Sequence, residues 1–231
     1  MNYCNSIEAT DRPHPIDPQH VRTLHVDDIP AILELENACW LPEIRASEEI
    51  LRTRFAMGHI SMGVFVDNYL VGLTSFSYTR FNPDKPNGLP ETFKEFSSHP
   101  RHSDHNAAYV YNLNIHPDYR GESLTRKLIW AGIEQLREDN CVYMLGAGRC
   151  PSYNGSLGEG IETIQPSRVF RETIDHSIQS GILPATKELI IDPVLRFYRR
   201  TLGCKFLRVA PNFLPGDTPS GNVGVIFYKT L

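Results

Sequence analysis

The stretch AAYVYNLNIHPDYRGESLTRKLI, residues 107–129, decides the fold. Its first nine residues are rich in aromatic and β-branched side chains, which predicts a strand. A helix with one apolar stripe is predicted from Gly121 to Asp139. A strand that turns into a helix presents the helix's first N–H groups to an anion, and Arg120, Arg126 and Lys127 flank that end. The alternative is an ordinary strand–helix turn with a solvated basic rim.

The rest of the chain alternates strands with helices. A strand from Val21, a helix capped by Asp27, a helix capped by Ser47 and two strands joined at Asp67-Asn68 come first. After the central helix come a strand (CVYMLGAG), a helix opened by Asp192-Pro193 and two more strands, CKFLRVA and GNVGVIFYK. This order predicts an α/β or α+β domain.

Three segments do not fit this order. Residues 1–20 are proline-rich and lack periodicity, so we expect a flexible leader there. The polar, proline-rich residues 81–106 predict a long loop, and residues 151–191 predict a second insertion with some helix. We therefore expect one domain over 21–231, with substrate choice residing in the two insertions.

Two motifs carry a resemblance to a known family. NLNIHPDYRGESLTRKLI (112–129) resembles the acyl-CoA-binding turn of the GNAT superfamily of acetyltransferases. DPVLRFYRRTLGCKF (192–206) resembles that superfamily's second signature, a helix of the Asn-Pro-Ala-x-x-Phe-Tyr type. The resemblance implies a mixed, mostly antiparallel central sheet flanked by helices, with strands 4 and 5 splayed apart.

The resemblance also implies the residues that hold the donor, acetyl-CoA or another acyl-CoA. Backbone groups of the fourth strand would meet the pantetheine arm, and the turn would hold the pyrophosphate. Asp192 replaces the amide side chain that often contacts the pantetheine. The implied cofactor-binding residues are Leu113, Asn114, Ile115, Arg120, Gly121, Glu122, Ser123, Leu124, Thr125, Arg126 and Asp192.

Tyr198 stands where family members usually place a tyrosine that protonates the departing CoA thiolate. The alternative is a core aromatic beside Phe197. The turn departs from the family pattern, since Ser123 and Thr125 replace the motif glycines and Glu122 adds a carboxylate. Such departures fit an altered acyl donor, or a module that binds acyl-CoA without catalysis.

The resemblance also implies that the loop between the first two helices borders the acceptor, where Trp40 would form a pocket wall and Glu43 would attract an amine. Structural roles are the alternative, with Trp40 closing the core and Glu43 solvated. Tyr109 and Tyr111 share one face of the fourth strand and are expected to line the cleft. His176 is a candidate base, because histidine suits proton transfer near neutral pH.

These expectations favour an acyltransferase that moves an acetyl or other short acyl group to an amine of a small molecule or peptide. The stretches CWLPEIRAS and GAGRCPSY (146–153) also resemble GNAT-like loading domains of polyketide synthases. That resemblance implies decarboxylation of malonyl-CoA, or transfer to a carrier-protein thiol, with Trp40 and His176 as the active residues. A non-catalytic acyl-CoA-binding module is a third possibility.

Composition excludes several other classes. With 23 basic and 27 acidic side chains, the net charge is −4, which does not favour a nucleic-acid partner. We find no signal peptide and no run long enough for a membrane helix. Five scattered cysteines predict no disulfide framework and a reducing, cytoplasmic setting. The histidines near 99–105 match no zinc spacing, so no metal is expected.

Overall fold

A computed structural model describes residues 21–86, 88–120, 122–155 and 164–231. The predicted leader and Gly121 lie outside these residues. The strands are β1 (Val21–Thr23), β2 (Ile60–Val66), β3 (Tyr69–Thr79), β4 (Ala107–Ile115), β5 (Tyr143–Arg149), β6 (Lys205–Ala210) and β7 (Gly224–Thr230). The α-helices are α1 (Ile29–Cys39), α2 (Glu48–Ala56), α3 (Phe93–Ser98), α4 (Glu122–Glu138), α5 (Arg168–Ser180), α6 (Thr186–Leu189) and α7 (Pro193–Arg196), the last continued by a π-helical turn, Phe197–Thr201.

All seven strands belong to one sheet with the order β1-β2-β3-β4-β5-β7-β6. Every neighbouring pair is antiparallel except β4 and β5, which run parallel. These two strands pair only from Ala107–Val110 against Tyr143–Gly146, so their C-terminal halves diverge. The predicted fold class, a mixed and mostly antiparallel sheet with strands 4 and 5 splayed, is confirmed.

Helices cover both faces of the sheet. Leu73 of β3 packs in the core cluster of α1, whereas a Cβ on the neighbouring Gly72 would meet Leu128 of α4. Because neighbouring strand residues point to opposite faces, α1 and α4 lie on opposite sides. Helices α5 and α7 pack on the side of α4, through a cluster that joins Phe170 and Leu195 to Val225 of β7.

Local sequence signals explain most element boundaries. Asp67 and Asn68 adopt the left-handed conformation that a tight β2–β3 turn requires, with φ of 47° and 68°. The Ser47 hydroxyl accepts a hydrogen bond from the Ile50 amide at 3.3 Å and caps α2 as predicted. The cap predicted at Asp27 is wrong, because a 3-10 turn, Val26–Asp28, precedes α1.

The segment predicted as a long loop, 81–106, contains helix α3. Thr92 and Glu95 form a capping box at its start. Phe96 of α3 is buried, and its ring lies 4.8 Å from that of Tyr109 on β4. This segment is therefore anchored to the sheet. Among the residues that the model describes, no helix is long and apolar enough to cross a membrane.

Candidate active site

The divergence of β4 from β5 begins at a β-bulge. Ser75 of β3 pairs with Asn112 and Phe76 pairs with Val110, so Tyr111 is the extra residue of β4. A bulge bends its strand and increases the local twist. Directly after Val110 the pairing with β5 ends, while β4 stays paired with β3 and β5 stays paired with β7. The facing edges of β4 and β5 therefore border an opening.

Leu113, Asn114 and Ile115 lie in the diverging half of β4. Their main chain on this edge is available to an extended ligand, because β5 no longer pairs with it. The arrangement fits the pantetheine arm of an acyl-CoA, as the resemblance implies. The carbonyl of Ile115 already has partners, since Cys39 Sγ lies 3.3 Å and Arg120 Nε 3.5 Å from it.

Helix α4 starts at Glu122, directly after the turn that follows β4. The first amides of any α-helix lack carbonyl acceptors within the helix and favour an anion. Leu124 directs its side chain into the core, while the side chains of Ser123 and Arg126 are exposed. Gly121 and the side chain of Glu122 lie outside the described residues. The expected pyrophosphate contacts at this turn, Thr125 included, stay a prediction.

Tyr198 lies beside the diverging half of β5. A Cβ added to Gly148 of β5 would lie 3.3 Å from the Tyr198 ring and 2.7 Å from Leu195. The ring also packs against Phe227, with 4.3 Å between centroids. Burial raises the pKa of Tyr198 above its ordinary value, so the phenol keeps its proton at neutral pH. The tyrosine is thus both a packed aromatic and a protonated donor beside the opening.

Asp192 is buried and caps α7. One carboxylate oxygen accepts hydrogen bonds from the amides of Val194 (2.9 Å) and Leu195 (3.2 Å), and the other accepts one from Ser152 (2.8 Å). Burial raises the pKa of this carboxyl group. The side chain is occupied in holding α7, so its expected contact with pantetheine stays a prediction that this geometry does not support.

On the opposite face, Glu36 connects α1 to the diverging half of β4. Its buried carboxylate accepts hydrogen bonds from Asn112 Nδ2 (3.0 Å), Asn114 Nδ2 (2.7 Å) and the amide of Ala46 (3.1 Å). The sequence analysis missed this cluster. Two asparagines alternating within an apolar strand were the available signal, because buried amide side chains need hydrogen-bond partners.

Tyr111 is held by a buried histidine. His59 Nε2 lies 2.9 Å from the carbonyl oxygen of His99, and Nδ1 lies 3.0 Å from the Tyr111 hydroxyl. A carbonyl oxygen only accepts, so Nε2 carries the proton and Nδ1 of the neutral ring accepts from Tyr111. Burial lowers the pKa of His59 to about 4, with the Arg54 charge adding to the effect. Burial also raises the pKa of Tyr111 to about 12.

The other expected acceptor residues differ in their surroundings. Trp40 is half-buried, and Arg149 Cζ lies 5.0 Å from the centre of its ring. Glu43 is exposed on the turn Pro42–Ile44, which lies against Gly216. Tyr109 is only 3% exposed and packs beneath Phe96, so it lies in the core and its expected place on the cleft is not supported.

His176 lies on the exposed face of α5, whose buried face carries Phe170, Ile174 and Ser177. The geometry gives this histidine no position in the cleft, and its role as a base stays a prediction. Within the described ranges, no group of three or more His, Cys, Asp or Glu residues is arranged to hold a metal ion.

Arg149 and Asp217 are further residues that the sequence analysis missed. Arg149 ends β5 and Asp217 lies in the β6–β7 connection, and their side chains form an ion pair beside Trp40. A charged residue at the end of the apolar run YMLGAGR was the only signal.

A mixed sheet that opens between two parallel strands, with a helix start at one end and a half-buried tyrosine beside it, is the arrangement that the resemblance to the GNAT superfamily predicts. Residues 29–154 match the model of the Acetyltransferase (GNAT) family, and the chain belongs to this family. The predicted membership is confirmed.

The chain is similar to YkwB of Bacillus subtilis (strain 168), named an uncharacterized N-acetyltransferase, with 26% identity over 223 residues and 90% of each protein covered. It is similar in fold to the loading GNATL domain of CurA from Lyngbya majuscula, with a TM-score of 0.66, 17% identity and 91% and 96% of the two chains covered. The GNAT-like decarboxylase GphF, solved with isobutyryl-CoA, gives a TM-score of 0.63, 18% identity and coverage of 91% and 98%.

Proposed function

We propose that this protein transfers an acetyl or other short acyl group from an acyl-CoA to an amine of a small molecule or peptide. One observation carries the proposal: after the bulge at Tyr111, β4 and β5 separate and leave two unpaired main-chain edges facing each other. Such an edge binds an extended, amide-containing chain by strand-like hydrogen bonds. The pantetheine arm of an acyl-CoA has that character.

Different parts of the opening contact different parts of the acyl-CoA in this proposal. The edge of β4 from Leu113 to Ile115 orients the pantetheine arm, and the start of α4 receives the pyrophosphate. Main-chain N–H groups near the bulge polarise the thioester carbonyl. Because both edges belong to strands paired on their outer sides, these groups are held in place before the substrate arrives.

Tyr198 supplies the proton in this proposal. The amine nitrogen attacks the thioester carbon, the carbon–sulfur bond breaks, and the thiolate takes the phenolic proton. The position of Tyr198 beside the diverging half of β5 supports this role, because a phenol is protonated at neutral pH and can act as a general acid. The proton that the amine loses passes to solvent water, and the tyrosinate regains a proton from solvent before the next turnover.

The experiment has two parts. Thermal unfolding is measured with acetyl-CoA and longer acyl-CoAs, because a ligand at about 100 times its Kd stabilises the native state by about 2.7 kcal/mol. Release of free thiol is then measured with a panel of amines. Tyr198→Phe is expected to lower kcat by about 100-fold, and Tyr69→Phe, at an exposed position of the β2–β3 hairpin, serves as the matched control.

Absence of stabilisation by every acyl-CoA would contradict the proposal. Stabilisation without thiol release would favour the non-catalytic module. Full activity of Tyr198→Phe would reject the acid role alone. Decarboxylation of malonyl-CoA, or transfer to a carrier-protein thiol, stays the alternative prediction, since the similarity to CurA and GphF supports the fold only.

A further inference from the structure

The ion pair of Arg149 and Asp217 lies at the open end of β5, on the face of the sheet that carries α1. We call this the acceptor face, because the family resemblance places the acceptor beside the connection that follows α1. Gly148 faces Leu195 and Tyr198 on one side of the sheet, so the next residue, Arg149, points to the other side. That side carries α1 and the turn after it, from which Trp40 approaches. The side chain of Arg149 therefore lies where the connection after α1 meets the connection between β6 and β7.

The guanidinium of Arg149 is held in a fixed orientation. Nε donates to Oδ2 of Asp217 at 2.7 Å, and Nη2 donates to Oδ1. The guanidinium also lies over the Trp40 ring, with 5.0 Å from Cζ to the ring centre. The Asp217 side chain is fully buried, whereas that of Arg149 is 30% exposed. The carboxylate therefore sits behind the guanidinium, on the side away from solvent.

This orientation leaves the outer edge of the guanidinium available. An arginine has five N–H donors, of which Asp217 takes one from Nε and one from Nη2. Within the described part of the chain, no hydrogen bond uses Nη1. The Nη1/Nη2 edge thus presents donors in the fork geometry that matches a carboxylate.

A second guanidinium, that of Arg45, contacts the main chain of Trp40. Arg45 donates from Nε to the Trp40 carbonyl at 2.6 Å and from Nη1 to Asn37 Oδ1 at 3.1 Å. Both acceptors are uncharged, whereas Asp217 neutralises Arg149. Glu43 on the same turn is exposed, so solvent screens its charge. The charge of Arg45 and the donor edge of Arg149 together favour an anionic group beside Trp40.

We propose that Arg149 recognises a carboxylate on the substrate that occupies the acceptor face. The proposal rests on the proposed acyltransferase function and names its substrate class: a carboxylate-bearing amine, or an acyl group with a free carboxylate. A pair that only tied β5 to the β6–β7 connection would contribute to stability without discriminating between substrates. Buried ion pairs seldom add much net stability, so discrimination is the property to test.

The experiment compares kcat/KM within matched pairs of substrates. In the acceptor arm, amino acids are compared with their decarboxylated amines, such as phenylalanine with phenethylamine, using acetyl-CoA. In the donor arm, consumption of malonyl-CoA is compared with that of acetyl-CoA. A charge-assisted hydrogen bond predicts a preference of about 10- to 100-fold for the carboxylate in one arm. The arm that shows it identifies which substrate carries the carboxylate.

Two variants test the residue. Arg149→Gln combined with Asp217→Asn removes the guanidinium and replaces both charges with uncharged amides, so no buried carboxylate is left without its partner. Arg149→Lys keeps the charge opposite Asp217 and loses the fork. In both, the preference ratio is expected to fall towards one, mainly through KM. Arg52→Gln, on the exposed surface of α2 where Arg52 pairs with Glu48, is the control that keeps the wild-type ratio.

The outcomes separate this inference from the proposed function. Turnover by the wild-type protein without preference in either arm overturns the carboxylate assignment and leaves the acyltransferase proposal standing. A preference that survives in both variants also overturns it. A wild-type protein that neither gains thermal stability from any acyl-CoA nor releases thiol overturns both proposals together.

Discussion

His59 makes the stability of this protein sensitive to mild acid. Its ring is buried, donates to the His99 carbonyl and accepts from Tyr111, an arrangement that requires the neutral form. The pKa falls from 6.5 to about 4 on folding. Below pH 6.5 His59 is therefore protonated in the unfolded chain, whereas in the folded chain it stays neutral down to about pH 4.

Acid therefore destabilises the folded state through His59. A group whose pKa is lower in the folded state destabilises that state as the pH falls, so the free energy of unfolding decreases between pH 6.5 and about pH 4. The gap between these two values corresponds to about 3 kcal/mol at most. Above pH 6.5 the effect is absent, because the histidine is neutral in both states.

The perturbation is His59→Gln, since a glutamine amide can donate to the His99 carbonyl and accept from Tyr111 without titrating. Urea unfolding of both proteins from neutral pH down to about pH 4 gives the free energy of unfolding at each pH. We expect the difference between wild type and variant to shrink or reverse as the pH falls. His176→Gln, at an exposed position, is the control and should follow the wild type.

Parallel pH curves for wild type and His59→Gln would refute this reasoning. Such a result would mean that the ring accommodates the proton, through movement of Tyr111 or entry of water, at little cost. Other titrating groups are common to both proteins, so they cancel in the comparison.

The remaining predictions concern the two faces of the opening. Gly148→Val is expected to displace Tyr198 and Leu195 and to lower the rate of thiol release at least about 10-fold. Gly132→Ala is the control and should retain the rate, because its added Cβ makes only ordinary contacts. Equal rates for the two variants would contradict the assignment of Tyr198 and Leu195 to the border of the opening. Glu36→Ala leaves three donors without their acceptor and should lower the free energy of unfolding by roughly 3 kcal/mol. Glu36→Gln should lower it less. A loss below about 1 kcal/mol for Glu36→Ala would show that water replaces the carboxylate. The decarboxylase alternative, with His176 as an active residue, predicts that His176→Ala abolishes conversion of malonyl-CoA to acetyl-CoA; retained conversion would reject the role of His176.

Part of the fold could be predicted from the sequence, because strands, helix caps and turns depend on neighbouring residues. The predicted bounds of β4, 107–115, agree with the structure, and so do the cap at Ser47 and the turn at Asp67-Asn68. Helix α3 was missed although Thr92 and Glu95 show the spacing of a capping box. Proline and serine around it directed the interpretation to a loop, and packing of Phe96 against the sheet outweighed that composition.

Only some residues of the candidate site could be predicted from the sequence. The motifs directed attention to the diverging half of β4 and to Tyr198, which the structure places beside the opening. They gave no indication that Asp192 is enclosed by three amides or that Tyr109 is covered by α3. Burial depends on which elements pack together, and a motif does not contain that information.

The sequence by itself determined the order of the main strands and helices, the strand β4 and helix α4 on either side of the central turn, and the family. These follow from periodicity, capping residues and short motifs, which act over a few residues. Only the tertiary structure decided the bulge at Tyr111 and the partners of the buried charges, whereas the separation of β4 from β5 was expected through the family resemblance alone. Glu36 meets Asn112 across 76 residues and Arg149 meets Asp217 across 68. Such contacts form when distant segments pack, so no local pattern specifies them.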